Sequence, residues 1–194
     1  VLAWDKSNYI YALSGASYDD NADNSRARHY FWRYRIDNNS WENLKPTGND
    51  NNENVPLGQQ GAGDAMVVAG SYVYAIVGNR FVGSTFWRYN IGTNTWENRN
   101  LSTSGWSNTD DGCSLAWTGG DYIYAFQGEN TGAYPINNKF SRYSISGNSW
   151  TSRAPITGGV GDGASLLWLV GDNIYATTGG NPVAETLRDN VFFV

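Results

Sequence analysis

The chain has 194 residues, a formal net charge of −5 and a pI near 4.7. That balance argues against a nucleic-acid backbone or an anionic membrane surface as partner, and no apolar run approaches the length of a membrane helix. Charged residues make up 16% and aromatic residues 15%, so a folded core must draw on aromatic packing more than on ion pairs.

In chain order, Val1-Leu2-Ala3-Trp4 aligns with Ser114-Leu115-Ala116-Trp117 and with Ser165-Leu166-Leu167-Trp168. The sequence is therefore expected to open inside a strand and to be a piece of a longer polypeptide; no signal peptide is read in it. Tyr9 to Leu13 reads as a second strand, Ser14 to His29 as a long polar loop, Tyr30 to Ile36 as a third strand, and Trp41 opens a fourth after the Asp37-Asn38-Asn39 turn. Pro46 to Gly61 is too polar to support a core and reads as an inter-repeat loop. The second unit has strands at Asp64 to Val68, Tyr72 to Val77, Phe86 to Ile91 and from Trp96. The third unit is the clearest. Leu115 and Trp117 lead through Gly119-Gly120-Asp121 into Tyr122 to Ala125, then come Phe140 to Ile145, a Ser146-Gly147-Asn148 turn and Trp150. The fourth unit has Gly163 to Val170, Asn173 to Thr178 and Asn190 to Val194.

These units repeat. Tyr74, Tyr124 and Tyr175 recur at intervals of about 50 residues, with Tyr11 displaced by longer loops, and Trp41, Trp96 and Trp150 recur at about 55. Four short strands repeated at this period are the signature of an all-β propeller in which each repeat is a blade. The expected blades are 1–46, 61–101, 110–155 and 161–194, the first and last incomplete. Trp4, Trp117, Trp168, Trp41, Trp96 and Trp150 hold equivalent positions and are expected in the core. Antiparallel geometry puts the short turns between strands one and two, and three and four, on one side. The connections between strands two and three, and between blades, fall on the other and vary in length, which is where binding is expected.

The repeat resembles the kelch motif, in which apolar residues precede a paired glycine and a Tyr and a Trp follow with six residues between them. Tyr34 and Trp41, Tyr89 and Trp96, and Tyr143 and Trp150 keep that separation. The paired glycine survives as Gly179-Gly180, and its second member as Gly15, Gly78 and Gly128. The wording GGDYIYA, FWRY and NTW is similar to kelch-like repeats of prokaryotic surface and secreted proteins. The resemblance implies a kelch-type propeller of about four blades, part of a larger ring since such rings usually have six or seven. It also implies adhesion, glycan or protein binding, or a surface-layer role, at the cell surface or outside the cell. Abundant Asn, Gly, Ser and Thr with little Lys suits that location. Self-association or additional blades are expected to cover the sheet faces at the two ends.

Kelch-type copper oxidases use two histidines, whereas His29 is the only histidine in this sequence, so copper chemistry and a Ser/His/Asp centre are not expected. Cys113, the one cysteine, reads as a small buried hydrophobe. Acidic residues recur where inner strands begin, at Asp64, Asp110, Asp111 and Asp162, either as a cation- or sugar-binding mouth or because Asp precedes Gly in a turn. Asp19, Asn21 and Asp23 have the alternating oxygens of a calcium loop but lack its sixth-position Gly and twelfth-position Glu, so no cofactor is expected and calcium is the weak alternative. Carboxylates at Asp20, Asp110, Asp111, Glu129 and Asp162 leave a glycan hydrolase open as the enzymatic alternative. Tyr18, Phe81, Trp106 and Tyr134 fall on the variable side beside Arg28, Arg80 and Asn130. Aromatics among amides and charges suit a sugar ring or a protein partner, or form a lid over the blades. The expectation is a non-catalytic binding or structural module for a protein or glycan, with a surface-layer building block as a further alternative.

Overall fold

The computed structural model describes residues 1–13, 30–44, 63–78, 83–99, 101, 106, 109–128, 137–180 and the backbone of 191–193. These residues form fifteen strands and no helix. The first sheet is β1 (Leu2–Trp4), β2 (Tyr9–Leu13), β3 (Phe31–Arg35) and β4 (Ser40–Asn43). The second is β5 (Ala65–Ala69), β6 (Tyr72–Val77), β7 (Thr85–Asn90) and β8 (Thr95–Arg99). The third is β9 (Ser114–Trp117), β10 (Tyr122–Phe126), β11 (Phe140–Ser144) and β12 (Ser149–Ser152). The fourth is β13 (Ser165–Trp168), β14 (Ile174–Thr177) and β15 (Val191–Phe193). Every sheet is an antiparallel meander in chain order, so the strands read from alternation and turn residues are the strands that form.

Two local devices fix the register. In the turn between third and fourth strands, Asn39, Asn94 and Asn148 take positive φ of 51°, 55° and 47°. Asn tolerates that left-handed conformation better than most side chains. The hydroxyls of Tyr34, Tyr89 and Tyr143 donate to Oδ1 of these asparagines at 2.7 Å. At the other end, the indole of the Trp closing the first strand clasps the turn that follows. Trp4 Nε1 donates to the Ser7 carbonyl (3.2 Å), Trp117 to Gly120 (2.8 Å) and Trp168 to Gly171 (2.9 Å).

First strands lie side by side, β1 against β5, β5 against β9 and β9 against β13. The amide of Leu166 donates to Ser114 Oγ at 2.9 Å across the last of these contacts. Strand alternation sends one face of each sheet to the sheet before it and the other to the sheet after it, giving three apolar clusters, one per junction. The junctions share a plan. A Tyr of the second strand stacks on a Phe of the third: Tyr11 on Phe31 at 5.9 Å, Tyr74 on Phe86 at 5.8 Å and Tyr124 on Phe140 at 5.8 Å. Onto that platform the next sheet sets its own Tyr and Trp. Phe31 meets Tyr89 at 4.8 Å and Trp96 at 5.0 Å, and Phe86 meets Tyr143 at 4.8 Å and Trp150 at 5.0 Å.

This plan corrects the expectation that all six repeat tryptophans are core. Trp150 is buried and Trp96 half-buried, but Trp41 is 53% exposed and Trp4 55%, while Trp117 and Trp168 are half-buried. A fourth-strand Trp is buried by the Phe of the preceding sheet, and the first sheet has no such neighbour among the described residues. The first-strand tryptophans are clasps over solvent-facing turns, which leaves Trp4 largely outside and Trp117 and Trp168 short of full burial.

Candidate functional site

Antiparallel order makes all connections from second to third strand, and from one sheet to the next, leave from the same side of each sheet. Contacts between sheets put those sides together. Thr109 Oγ1, leading into the third sheet, donates to the carbonyl of Gly63, which leads into the second, at 3.3 Å, and shares a 2.8 Å hydrogen bond with Ser84 Oγ. On the opposite side Lys6 Nζ, in the first sheet's β1–β2 turn, lies 4.2 Å from the Trp168 ring centre and 5.9 Å from that of Trp117. Short turns thus gather on one side and long connections on the other.

At the long-connection side, Asp110, Asp111 and Asp162 lie in tight turns. In Asp110-Asp111-Gly112-Cys113 the amide of Cys113 donates to the Asp110 carbonyl at 3.1 Å, and Gly112 has a φ of 80°. In Gly161-Asp162-Gly163-Ala164 the amide of Ala164 donates to the Gly161 carbonyl at 3.0 Å, with Gly163 at 75°. Both have the hydrogen bond and third-position glycine of a type II turn. Gly112 is held for space as well, since a Cβ there would lie 2.1 Å from the Gly161 carbonyl oxygen. The three aspartates have different surroundings: Asp110 is 2% exposed, Asp111 half-buried and Asp162 exposed. Asp64 Oδ1 accepts the amide of Gly78 at 2.9 Å, tying the first strand of the second sheet to the end of its second. Among the described residues no three His, Cys, Asp or Glu side chains come together as a metal site. Burial, with the Asp64 carboxylate nearby, pushes the Cys113 thiol well up, the reverse of what a nucleophilic cysteine needs.

Trp106, read as a candidate exposed aromatic, is only 6% exposed, with its ring 5.3 Å from Trp150 in the cluster between second and third sheets. It covers that junction as a lid, because Trp150 offers it an apolar surface that solvent does not. Tyr18, Arg28, Arg80, Phe81, Asn130 and Tyr134 lie outside the described residues, as do His29, Asp20, Glu129 and the Asp19, Asn21, Asp23 set.

The sequence reading missed a row of stacked cations. Arg33, Arg88 and Arg142 lie over Tyr9, Tyr72 and Tyr122 at 4.5, 4.3 and 4.1 Å. Glu42 and Glu97 stand opposite the first two and pair with them, at 2.5 and 2.6 Å, while Thr151 stands opposite Arg142. The recurring FWRY, FWRY and FSRY at 31–34, 86–89 and 140–143 was the available signal. Also unread was a cavity of about 590 Å³ between third and fourth sheets, lined in part by Tyr124, Phe140, Arg153 and Ile174.

No known family model matches the chain, and neither does any curated protein.

Proposed function

We propose that the chain is a kelch-like β-propeller, or part of one, acting outside the cell or at its surface as a non-catalytic binding or structural module that engages a protein or a glycan through its long-connection side. The observation that carries this reading is the segregation of connections. Tight, hydrogen-bonded turns occupy one side and every long connection leaves from the other, on sheets locked together by aromatic junctions. Rigid sheets with variable connections at one end are a common basis for recognition. The propeller reading is supported by side-by-side first strands and by the contact of Lys6 in the first sheet with Trp168 in the last.

The test is to present the immobilised chain with a panel of glycans and of surface-protein extracts, measuring retention and product formation together. Retention of a component without turnover is expected. Turnover of a glycan would replace this reading with a hydrolase, and ordered self-assembly without retention would replace it with a surface-layer building block.

A further inference from the structure

On the short-turn side, two indoles and one ammonium group from three different sheets come together. The rings are those of Trp117 and Trp168, which end β9 and β13, first strands that lie side by side, and both are half-buried. Each ring is oriented by its own clasp, Nε1 of Trp117 donating to the Gly120 carbonyl at 2.8 Å and that of Trp168 to Gly171 at 2.9 Å. Their faces are therefore set without help from any bound group. The edge of the Trp168 ring reaches the third sheet's turn, where a Cβ on Gly119 would lie 3.9 Å from its Cη2 atom. Lys6 Nζ, from the first sheet, lies 4.2 Å from the centre of the Trp168 ring and 5.9 Å from that of Trp117. Both distances fall within the roughly 6 Å over which an aromatic face attracts a cation.

Lys6 reaches this place from a strained backbone. Lys6 and Gly119 both hold the second position after a clasping Trp, in turns whose next residue accepts the indole N–H. Gly119 has a φ of 91°, open to glycine, whereas Lys6 takes 62°, a left-handed conformation that a long side chain disfavours. Among the described residues no carboxylate pairs with its ammonium group. The chain carries a net charge of −5, and these three turns each bring an aspartate, Asp5, Asp121 and Asp172, so the local field favours cations. A strained residue that rests its charge on two fixed rings marks a site for that charge. We propose that Trp117 and Trp168 form a receptor for a small quaternary ammonium cation of the choline type, with Lys6 as the built-in competitor that fills it in the free protein. A primary ammonium gives up hydrogen bonds to water on entering, whereas a methylated one has none to lose and lays its methyl groups on the ring faces. The long flexible stem of Lys6 lets its head move out to solvent when the ligand arrives. The site is separate from the long-connection side and stands whether or not that side binds a ligand.

The experiment titrates the whole chain with choline chloride at constant ionic strength and follows tryptophan fluorescence. Lys6→Gly removes the competitor and suits the left-handed backbone. Choline should change the fluorescence of Lys6→Gly saturably. The parent should bind at least about tenfold more weakly, because only molecules with Lys6 displaced are competent. Dimethylbutanol, the uncharged carbon isostere of choline, should give no saturable change, and adding Trp168→Leu to Lys6→Gly should abolish the choline response. No saturable response of Lys6→Gly at high millimolar choline would overturn the proposal, as would an equal response to the alcohol or equal choline affinity in parent and Lys6→Gly. Should Lys6→Gly lose the thermal transition of the parent, Lys6→Asn, which also accepts a left-handed backbone, takes its place in the same comparison.

Discussion

Phe86 of β7 and Trp150 of β12 meet edge-on with ring centres 5.0 Å apart, although one belongs to the second sheet and the other to the third. Phe31 and Trp96 meet at the same 5.0 Å one junction earlier, with the rings tilted by 60°. The sheet-to-sheet energetics therefore rest on a few large rings in repeated positions, each burying more area than any neighbouring aliphatic could.

Replacing Trp150 with Ala should cost about 3 to 5 kcal/mol, the usual range for a buried Trp. Trp41→Ala should cost no more than about 1 kcal/mol, because the ring at that repeat position is largely in solvent. Urea denaturation of the two variants checks the difference, and equal losses would contradict the assignment of Trp41 to an open face.

The asparagines that accept the tyrosine hydroxyls contribute in two ways. Asn148→Gly keeps the left-handed backbone but removes the 2.7 Å bond from Tyr143, a loss of about 1 kcal/mol. Asn148→Ala should lose about 1 kcal/mol more, from forcing a side chain without local hydrogen bonding into that conformation. Denaturant midpoints of the two variants should fall in that order.

Glycines with similar backbone angles should respond differently to a methyl group. Gly171→Ala meets nothing within 4 Å and should cost only the left-handed strain, about 1 kcal/mol. In Gly112→Ala the new carbon would collide with the Gly161 carbonyl, so the loss should be roughly 3 kcal/mol or more. Thermal unfolding would show this as a clearly larger fall in Tm for Gly112→Ala.

Alkali should loosen the junctions. Burial pushes the Tyr89 hydroxyl up to about 12, and Tyr11, Tyr74 and Tyr143 are raised by burial as well, against partial opposition from neighbouring arginines in all three. The folded chain therefore holds these protons at a pH where the unfolded chain releases them. Their contribution to stability is complete below about pH 10, the ordinary tyrosine value, and is lost as pH rises from there toward about 12. Chemical denaturation between pH 8 and 11.5 should show stability falling only above pH 10; a flat profile would mean the rings are open to solvent.

Strand positions were legible in the sequence because alternation, tight turns and the Tyr-to-Trp spacing all act locally. Tyr72–Val77 and Tyr9–Leu13 coincide with their expected spans for that reason. The surroundings of the tryptophans were not legible. Trp41 and Trp150 occupy one repeat position, but their burial is set by what stacks on the sheet, a property of the neighbour. Trp106 was misread on the same ground, its loop position giving no sign of the Trp150 ring beneath it. The Asp-Gly turns were visible as a pattern, although nothing in it distinguished the burial of Asp110 from the exposure of Asp162.

The measurement that most directly tests stacking of the sheets in chain order is a double-mutant cycle between Phe86 and Trp150, each replaced by Leu alone and together, with urea unfolding as the readout. Direct contact of the two rings requires a coupling of about 0.5 to 1.5 kcal/mol. The control pair, Phe31→Leu with Trp150→Leu, lies in separate junctions and should be additive to within about 0.5 kcal/mol. Additivity of Phe86 and Trp150, or coupling as large in the control pair, would contradict the stacking of the third sheet on the second through these rings.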